Sequence, residues 1–306
     1  MNGVVIIDKP TGLTSHDVVN RVRRILGQRS VGHLGTLDPG ASGVLPIVVG
    51  NLTRLAQFYL RSEKTYEGAI RFGFATDTYD ADGEPTTPVQ SGPVDEATVR
   101  AVAAEFRGVI EQLPPPFSAK KIAGVPAYKL ARKKKEVVLP AVQVEIKEFE
   151  ILECAGDRAT FRARVSSGTY IRSVAHDIGQ RLGCGAHLAT LRRTVVAEFT
   201  IEEARPLAAL EAAKQQGSVE SLFVHPRKLV PQLPCVTANE ESAALIRCGR
   251  PVNLPEMSRA PQIKVFYGQR DLLAIATRIA GTLFHPSIVF AGSEESVATA
   301  PSASAR

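Results

Sequence analysis

The sequence predicts an α+β protein: a mixed, mostly antiparallel sheet flanked by helices, followed by a small β-rich domain. Three observations lead there. Strand-like and helix-like runs alternate irregularly, without the repeating βαβ units of a parallel α/β sheet. Residues 64–74 set Tyr66, Ala69, Ile70 and Phe72 among charged residues, the pattern of a partly buried strand. Pro226, Pro231 and Pro234 mark a linker, beyond which the apolar runs are again strand-like.

Taken in order, residues 4–8 read as a short buried strand. It ends in the Lys9-Pro10-Thr11-Gly12 turn, where Pro sets φ and Gly supplies freedom after it. Thr14 or Ser15 caps a helix to about Leu26, with Val18, Val22 and Ile25 on one face. A glycine-rich loop over 32–43 runs into a buried strand over 44–49, and Asn51 is placed to cap a helix carrying Leu52, Leu55 and Phe58. After the strand over 64–74 come a turn-rich loop over 77–83 and a helix over 95–107, with Val99, Val102 and Phe106 at helical spacing. Pro114-Pro115-Pro116 breaks the pattern and a basic segment follows. Strands resume over 142–153 and 158–166. Gly168 and Thr169 offer capping chemistry for a helix over 170–182, and a strand covers 189–196. Past the linker, a helix over 238–247 closes at Gly249, and strands cover 263–267, 272–279 and 288–291. The tail over 293–306, rich in Ala, Ser and Pro, is expected to be disordered.

The chain has 306 residues, 44% of them hydrophobic and 22% charged, which suits a globular protein of one large domain and a small one. No apolar run approaches the ~18 residues of a membrane span. The N-terminus has neither the basic region nor the cleavage site of a signal peptide, so a cytoplasmic location is expected. Cys154, Cys184, Cys235 and Cys248 form no C-x-x-C pair, which leaves no zinc or redox motif. The formal net charge of +6 favours a polyanionic partner without identifying it.

Asp38 is the residue most in need of explanation. It is the only acid in Gly32-His33-Leu34-Gly35-Thr36-Leu37-Asp38-Pro39-Gly40-Ala41-Ser42-Gly43, next to an apolar strand. Such a carboxylate must be hydrogen-bonded, paired with a cation, or chemically useful. Two readings stand: a turn aspartate before Pro39, or a nucleophile or general base. No Gly-Lys-Ser/Thr follows, as a phosphate loop requires, and residues 34–50 hold no second acid, as an aspartyl-phosphate site requires for Mg²⁺. His33 is either structural or a flank of the same cavity. Arg172, in Gly168-Thr169-Tyr170-Ile171-Arg172, is a surface arginine or the partner of a buried carboxylate. Tyr66 is a core tyrosine or a platform for a base. The basic run over 117–135, with Phe117 and Tyr128 in it, suits a solvated face or a lobe that closes on RNA.

Each motif alone is weak, but their order is specific. Lys9-Pro10-x-Gly12-x-Thr14-Ser15, then Gly32-His33-x-Gly35-x-Leu37-Asp38-Pro39 with Ala41-x-Gly43-x-Leu45-Pro46, then Lys64-x-Tyr66 occur in sequence. Thr76-Asp77-Thr78-x-Asp80-x-x-Gly83, Phe117-Ser118-Ala119-x-Lys121 and Gly168-Thr169-Tyr170-Ile171-Arg172 follow. Together, over about residues 3–195, they closely resemble the TruB-type tRNA pseudouridine synthases. The resemblance implies the pseudouridine synthase fold and conversion of a T-loop uridine of tRNA to pseudouridine, with no cofactor and no metal. It makes Asp38 the essential catalytic aspartate, Tyr66 the tyrosine stacking on the target base, and Arg172 the arginine paired with the aspartate. It sets His33 beside the flipped nucleotide and puts Tyr170, Leu191 and Lys9 in substrate binding. Residues 114–141 become a mobile lobe that clamps the RNA, inside a catalytic domain over 1–230, and residues 235–292 a PUA-like RNA-binding domain. A monomer suits such single-site binding.

The implied reaction breaks the C1′–N1 bond, turns the uracil and joins C1′ to C5, after the base has been extruded from its loop. Whether Asp38 first meets C1′, the base or a ribose proton stays open. Two other classes remain: an RNA-binding chaperone on the same scaffold, and a metal-dependent RNA hydrolase using Asp77, Asp80 and Asp82. The spacing of those acids is like a calcium loop, but Val89 stands where the loop's Glu belongs.

Overall fold

The computed structural model describes residues 1–90, 92–117, 121–122, 125–126 and 139–290. Most of the lobe expected over 114–141, and all of the tail expected over 293–306, lies outside the described residues.

Strand β1 (Gly3–Lys9) is buried at every position but Asp8. Helix α1 (Ser15–Leu26) begins at Thr14, whose side chain forms a reciprocal capping box with Asp17. It stops at Gly27, φ 65°, a left-handed conformation that suits glycine. Val18, Val19, Val22 and Leu26 face the core, each contributing about 1.5–3 kcal/mol by burial. Because Thr14 does the capping, the hydroxyl of Ser15 is available for another partner.

Strands β2 (Val31–His33) and β3 (Ser42–Val49) bracket the glycine-rich loop. Asn51 does not cap the next helix. A 3-10 turn over Gly50–Leu55 leads into a short α2 (Ala56–Tyr59), and the Asn51 amide donates to the Phe290 carbonyl at 2.9 Å. A long-range acceptor has taken the side chain that local sequence assigned to a cap.

Strand β4 (Lys64–Phe72) follows, then α3 (Glu96–Ala104), capped by Asp95, and β5 (Gly108–Gln112). The two-residue strands β6 (Lys121–Ile122) and β7 (Val125–Pro126) pair with each other. Long strands β8 (Val142–Ala155) and β9 (Arg158–Val165) precede α4 (Ile171–Arg181). Gly168 and Thr169 do not cap α4. Its N-cap is Tyr170, whose side chain does not cap the helix and whose backbone is gripped by buried Gln112. The Tyr170 N–H donates to Gln112 Oε1 at 2.8 Å, and Gln112 Nε2 donates to the Tyr170 carbonyl at 3.0 Å. Strands β10 (Ala186–Val196) and β11 (Phe199–Thr200) and helix α5 (Leu207–Gln215) complete this part.

Among the described residues the large sheet has nine strands in the order β1-β3-β10-β4-β9-β8-β5, with β2 on β3 and β11 on β10. Only the β3–β10 pair is parallel. The mixed, mostly antiparallel sheet of the sequence reading is therefore present, and β2, β5 and α5 add to it. The parallel contact brings Gly43 beside Arg193 and joins the glycine-rich loop to the middle of the sheet.

The C-terminal unit is a second sheet. It comprises β12 (Cys235–Ala238), α6 (Glu240–Arg247), β13 (Val252–Asn253), β14 (Gln262–Tyr267), β15 (Asp271–Ala280) and β16 (Leu283–Val289). The final strand lies earlier than the expected 288–291. Phe266, Leu272, Ile275 and Phe290 share one apolar cluster with Val48, Leu52, Leu55 and Tyr59, so the unit packs against the large sheet's domain.

Candidate active site

A cavity of about 750 Å³ opens where the start of α1, the 33–41 loop, the 78–82 loop and β10 meet. Asp38 faces it with its side chain 44% exposed. The backbone on both sides of Asp38 is held by buried polar groups. Ser15 Oγ accepts the Leu37 N–H at 2.8 Å and donates to the Leu37 carbonyl at 3.1 Å. Lys9, fully buried, donates from Nζ to the carbonyls of Pro10, Leu13 and Pro39 at 2.8, 2.7 and 3.3 Å. The Gly12 N–H also reaches the Pro39 carbonyl at 2.9 Å. Arg193 donates to the carbonyls of Gly35, Thr36 and Val44 at 3.0, 3.0 and 2.9 Å. Leu37 and Pro39 are thus tied down while the carboxylate between them stays open to the cavity.

Arg172, in the first turn of α4, comes from the opposite side with its side chain only 6% exposed. Its Nε lies 2.9 Å from Asp38 Oδ2, and its Nη1 lies 3.5 Å from Asp80 Oδ2. Nη1 also donates to the Thr78 carbonyl at 3.1 Å and Nη2 to the Phe117 carbonyl at 3.0 Å. A planar guanidinium can serve acceptors in several directions at once, which a lysine cannot. Asp80 completes this network, a part that the sequence reading did not give it. The 77–83 loop is built around it: Thr78 Oγ1 donates to Asp80 Oδ1, and Asp77 Oδ1 accepts the Glu84 N–H at 2.9 Å. Tyr79 is held at φ 65°, stacked on His176 with 3.8 Å between ring centroids.

His33 ends β2 and lines the cavity. Its Nδ1 accepts the Gly35 N–H at 3.2 Å, so the proton of the neutral ring belongs on Nε2. Burial, with smaller contributions from Arg193 and His16, pushes its pKa below the ordinary histidine value. Leu191 of β10 lines the same cavity. Tyr66 is 8% exposed and stands directly opposite Arg193 across β4 and β10. Neither Tyr66 nor Tyr170 is among the residues lining the cavity.

Lys9 requires a correction. Placed in substrate binding by the sequence reading, it is fully buried beneath the loop with its ammonium on three carbonyls. Burial draws its pKa down to about 8, against the opposing pull of Asp38. It braces the turn after Asp38 and has no surface to offer a ligand. Ser15, Arg193, Asp80 and Gln112 were missed as parts of the site. Ser15 and Asp80 carried a signal: two adjacent hydroxyls compete for one cap, and Asp80 stands in one of the ordered motifs.

Residues 23–171 match the N-terminal domain of the TruB family pseudouridylate synthases, and residues 172–230 match the tRNA pseudouridylate synthase B C-terminal domain. The tRNA pseudouridine synthase B of Solibacter usitatus is 46% identical over 292 residues, 94% of this chain and 100% of its own length. That of Burkholderia mallei is 38% identical over 95% of this chain and 98% of its own. A solved structure of an H/ACA ribonucleoprotein bound to a substrate RNA containing 2′-deoxyuridine has a chain that superposes with a TM-score of 0.69. Its identity is 26%, covering 95% of this chain and 86% of that one. Likeness of this degree along almost the whole length places the protein in a family: it belongs to the TruB pseudouridylate synthases.

Proposed function

We propose that the protein isomerises a uridine in the T-loop of tRNA to pseudouridine, with Asp38 as the catalytic carboxylate and no cofactor. The carrying observation is the Asp38–Arg172 pair at the cavity. A nearly buried guanidinium with four partners supports a carboxylate that remains open to a ligand. The cavity of about 750 Å³ falls within the range of pockets that hold small ligands, and one extruded nucleotide is such a ligand. The relatives' name, tRNA pseudouridine synthase B, supports tRNA as the substrate.

The reaction balances within the nucleotide. The C1′–N1 bond breaks, the uracil turns, C1′ joins C5, the C5 proton leaves and N1 gains one. Extrusion of the base costs a few kcal/mol. His33, neutral and at the cavity, offers a ring to fill the vacated stack, while Leu191 supplies an apolar wall. We assign Tyr66 and Tyr170 to nucleotide binding as well, on the match of their motifs to the family. The net charge of +6 supports a polyanionic partner. We assign RNA binding to the β-rich unit within 235–292 as a PUA-like domain, and clamping of the RNA to the lobe over 114–141.

Asp38→Asn tests the reading on an unmodified tRNA transcript. It should bind tRNA within about fivefold of the parent, since one exposed carboxylate adds little to RNA affinity, and form no pseudouridine. Pseudouridine formation at a substantial fraction of the parent rate would remove Asp38 as the catalyst.

A further inference from the structure

We propose that Arg193 is a positioning residue that locks the Asp38 loop and the Tyr66 hydroxyl into one arrangement, so that the two groups acting on the nucleotide keep a set separation. The inference rests on the pseudouridine synthase reading above and extends it to a residue touching neither substrate nor reacting atoms.

Arg193 is 1% exposed and among the largest fully buried side chains of the protein. A buried cation is expensive unless its donors are satisfied. Here Gly35 and Thr36, just before Asp38, and Val44, just after the loop, supply three carbonyls. Tyr66 is the cross-strand neighbour of Arg193, and its phenol and Asp38 are both near enough to favour the charge against the cost of burial. The backbone repeats this convergence. Arg193 pairs with Gly43 across β3–β10 and with Tyr66 across β10–β4. At Gly43 the strands approach so closely that a Cβ would lie 2.2 Å from the Arg193 carbonyl oxygen. One side chain and its own peptide therefore join the three strands that carry the site. Arg172 holds Asp38 directly from the cavity side; Arg193 holds the frame in which Asp38 and Tyr66 sit.

Arg193→Lys keeps the charge but replaces the fork with one ammonium that cannot span three carbonyls and a phenol. Its tRNA affinity should stay within about threefold of the parent, with kcat lowered about 30-fold or more and KM little changed. With Tyr66 as the group that takes the C5 proton, displacing it slows that step, so the rate ratio between 5-protio- and 5-deuterouridine tRNA should rise. Tyr66→Phe added to Arg193→Lys should cost much less than it does alone, since both act through one contact. A folded Arg193→Lys protein with near-parental kcat, or full additivity with Tyr66→Phe, overturns the inference. Should Arg193→Lys fail to fold, Tyr66→Phe in the otherwise native chain decides. It must speed hydrogen exchange of the amides over 34–41, and unchanged exchange there overturns the inference. A parent protein that forms no pseudouridine defeats the functional reading instead, and leaves the exchange experiment standing.

Discussion

Ser15 Oγ binds both backbone polar groups of Leu37, accepting from its N–H at 2.8 Å and donating to its carbonyl at 3.1 Å. Leu37 directly precedes Asp38, and Ser15 is only 2% exposed. Ser15→Ala leaves two buried backbone groups without partners, which should cost about 2–4 kcal/mol of stability. Urea unfolding should show a lower midpoint at an unchanged slope. The same change frees the loop on its α1 side, so kcat should fall about 10-fold or more with little change in tRNA affinity. An unchanged unfolding midpoint would show that Leu37 finds other partners.

Gly43 allows the parallel approach of β3 to β10. It adopts φ 104°, and an added Cβ would meet the Arg193 carbonyl oxygen at 2.2 Å and its nitrogen at 2.9 Å. Both partners are backbone and neither can swing away. Gly43→Ala combines backbone strain of about 1–3 kcal/mol with displacement of the central strand pair. It should yield a protein destabilised by about 3 kcal/mol or more, or one recovered only as aggregate. Gly12→Ala makes the control: it also has positive φ, 82°, but nothing lies within 4 Å of its Cβ. Its cost should be confined to the strain.

Asp177 gives the fold a pH dependence of definite sign. Burial, opposed by Arg181, raises its carboxyl from 3.8 to about 6, and its charge faces Tyr79. In the unfolded chain it loses its proton near pH 4. Between those values the folded protein holds a proton that the unfolded one has released, so this group lowers stability as pH rises from about 4 to about 6. Above that window the penalty is complete, about 1–3 kcal/mol. Asp177→Asn should therefore be more stable than the parent at pH 7.5 and lose that advantage as pH falls towards 4. Thermal unfolding of both proteins across that range measures the difference. Equal stabilities at pH 7.5 would mean that the carboxylate is well solvated in the folded state.

Much of the fold was legible because strands and helices announce themselves locally. Val18 and Val22 repeat at helical spacing and are buried, with Leu26 rather than Ile25 buried in the last turn, and Tyr66, Ile70 and Phe72 of β4 are buried between half-exposed charged residues. The site was partly legible through motif order, which named the Asp38 loop and Arg172 before any distance was known. Its supports were not. Asn51 looks like a helix cap and binds Phe290 instead, while Gly168 and Thr169 look like a cap that Gln112 replaces. In each case a residue far along the chain satisfied a backbone or side-chain group better than its neighbours did.

The sequence by itself determined the α+β class and the loop in which the lone carboxylate lies. These follow from periodicity, turn chemistry and charge within a few residues. Only the tertiary structure decided what Lys9, Ser15, Asp80 and Arg193 do. Their partners lie as far as 158 residues away, as for Arg193 and Gly35. A buried donor takes whichever acceptor the packed chain brings within about 3 Å. That choice belongs to the strand order and to the close β3–β10 approach, neither of which is written in local propensity.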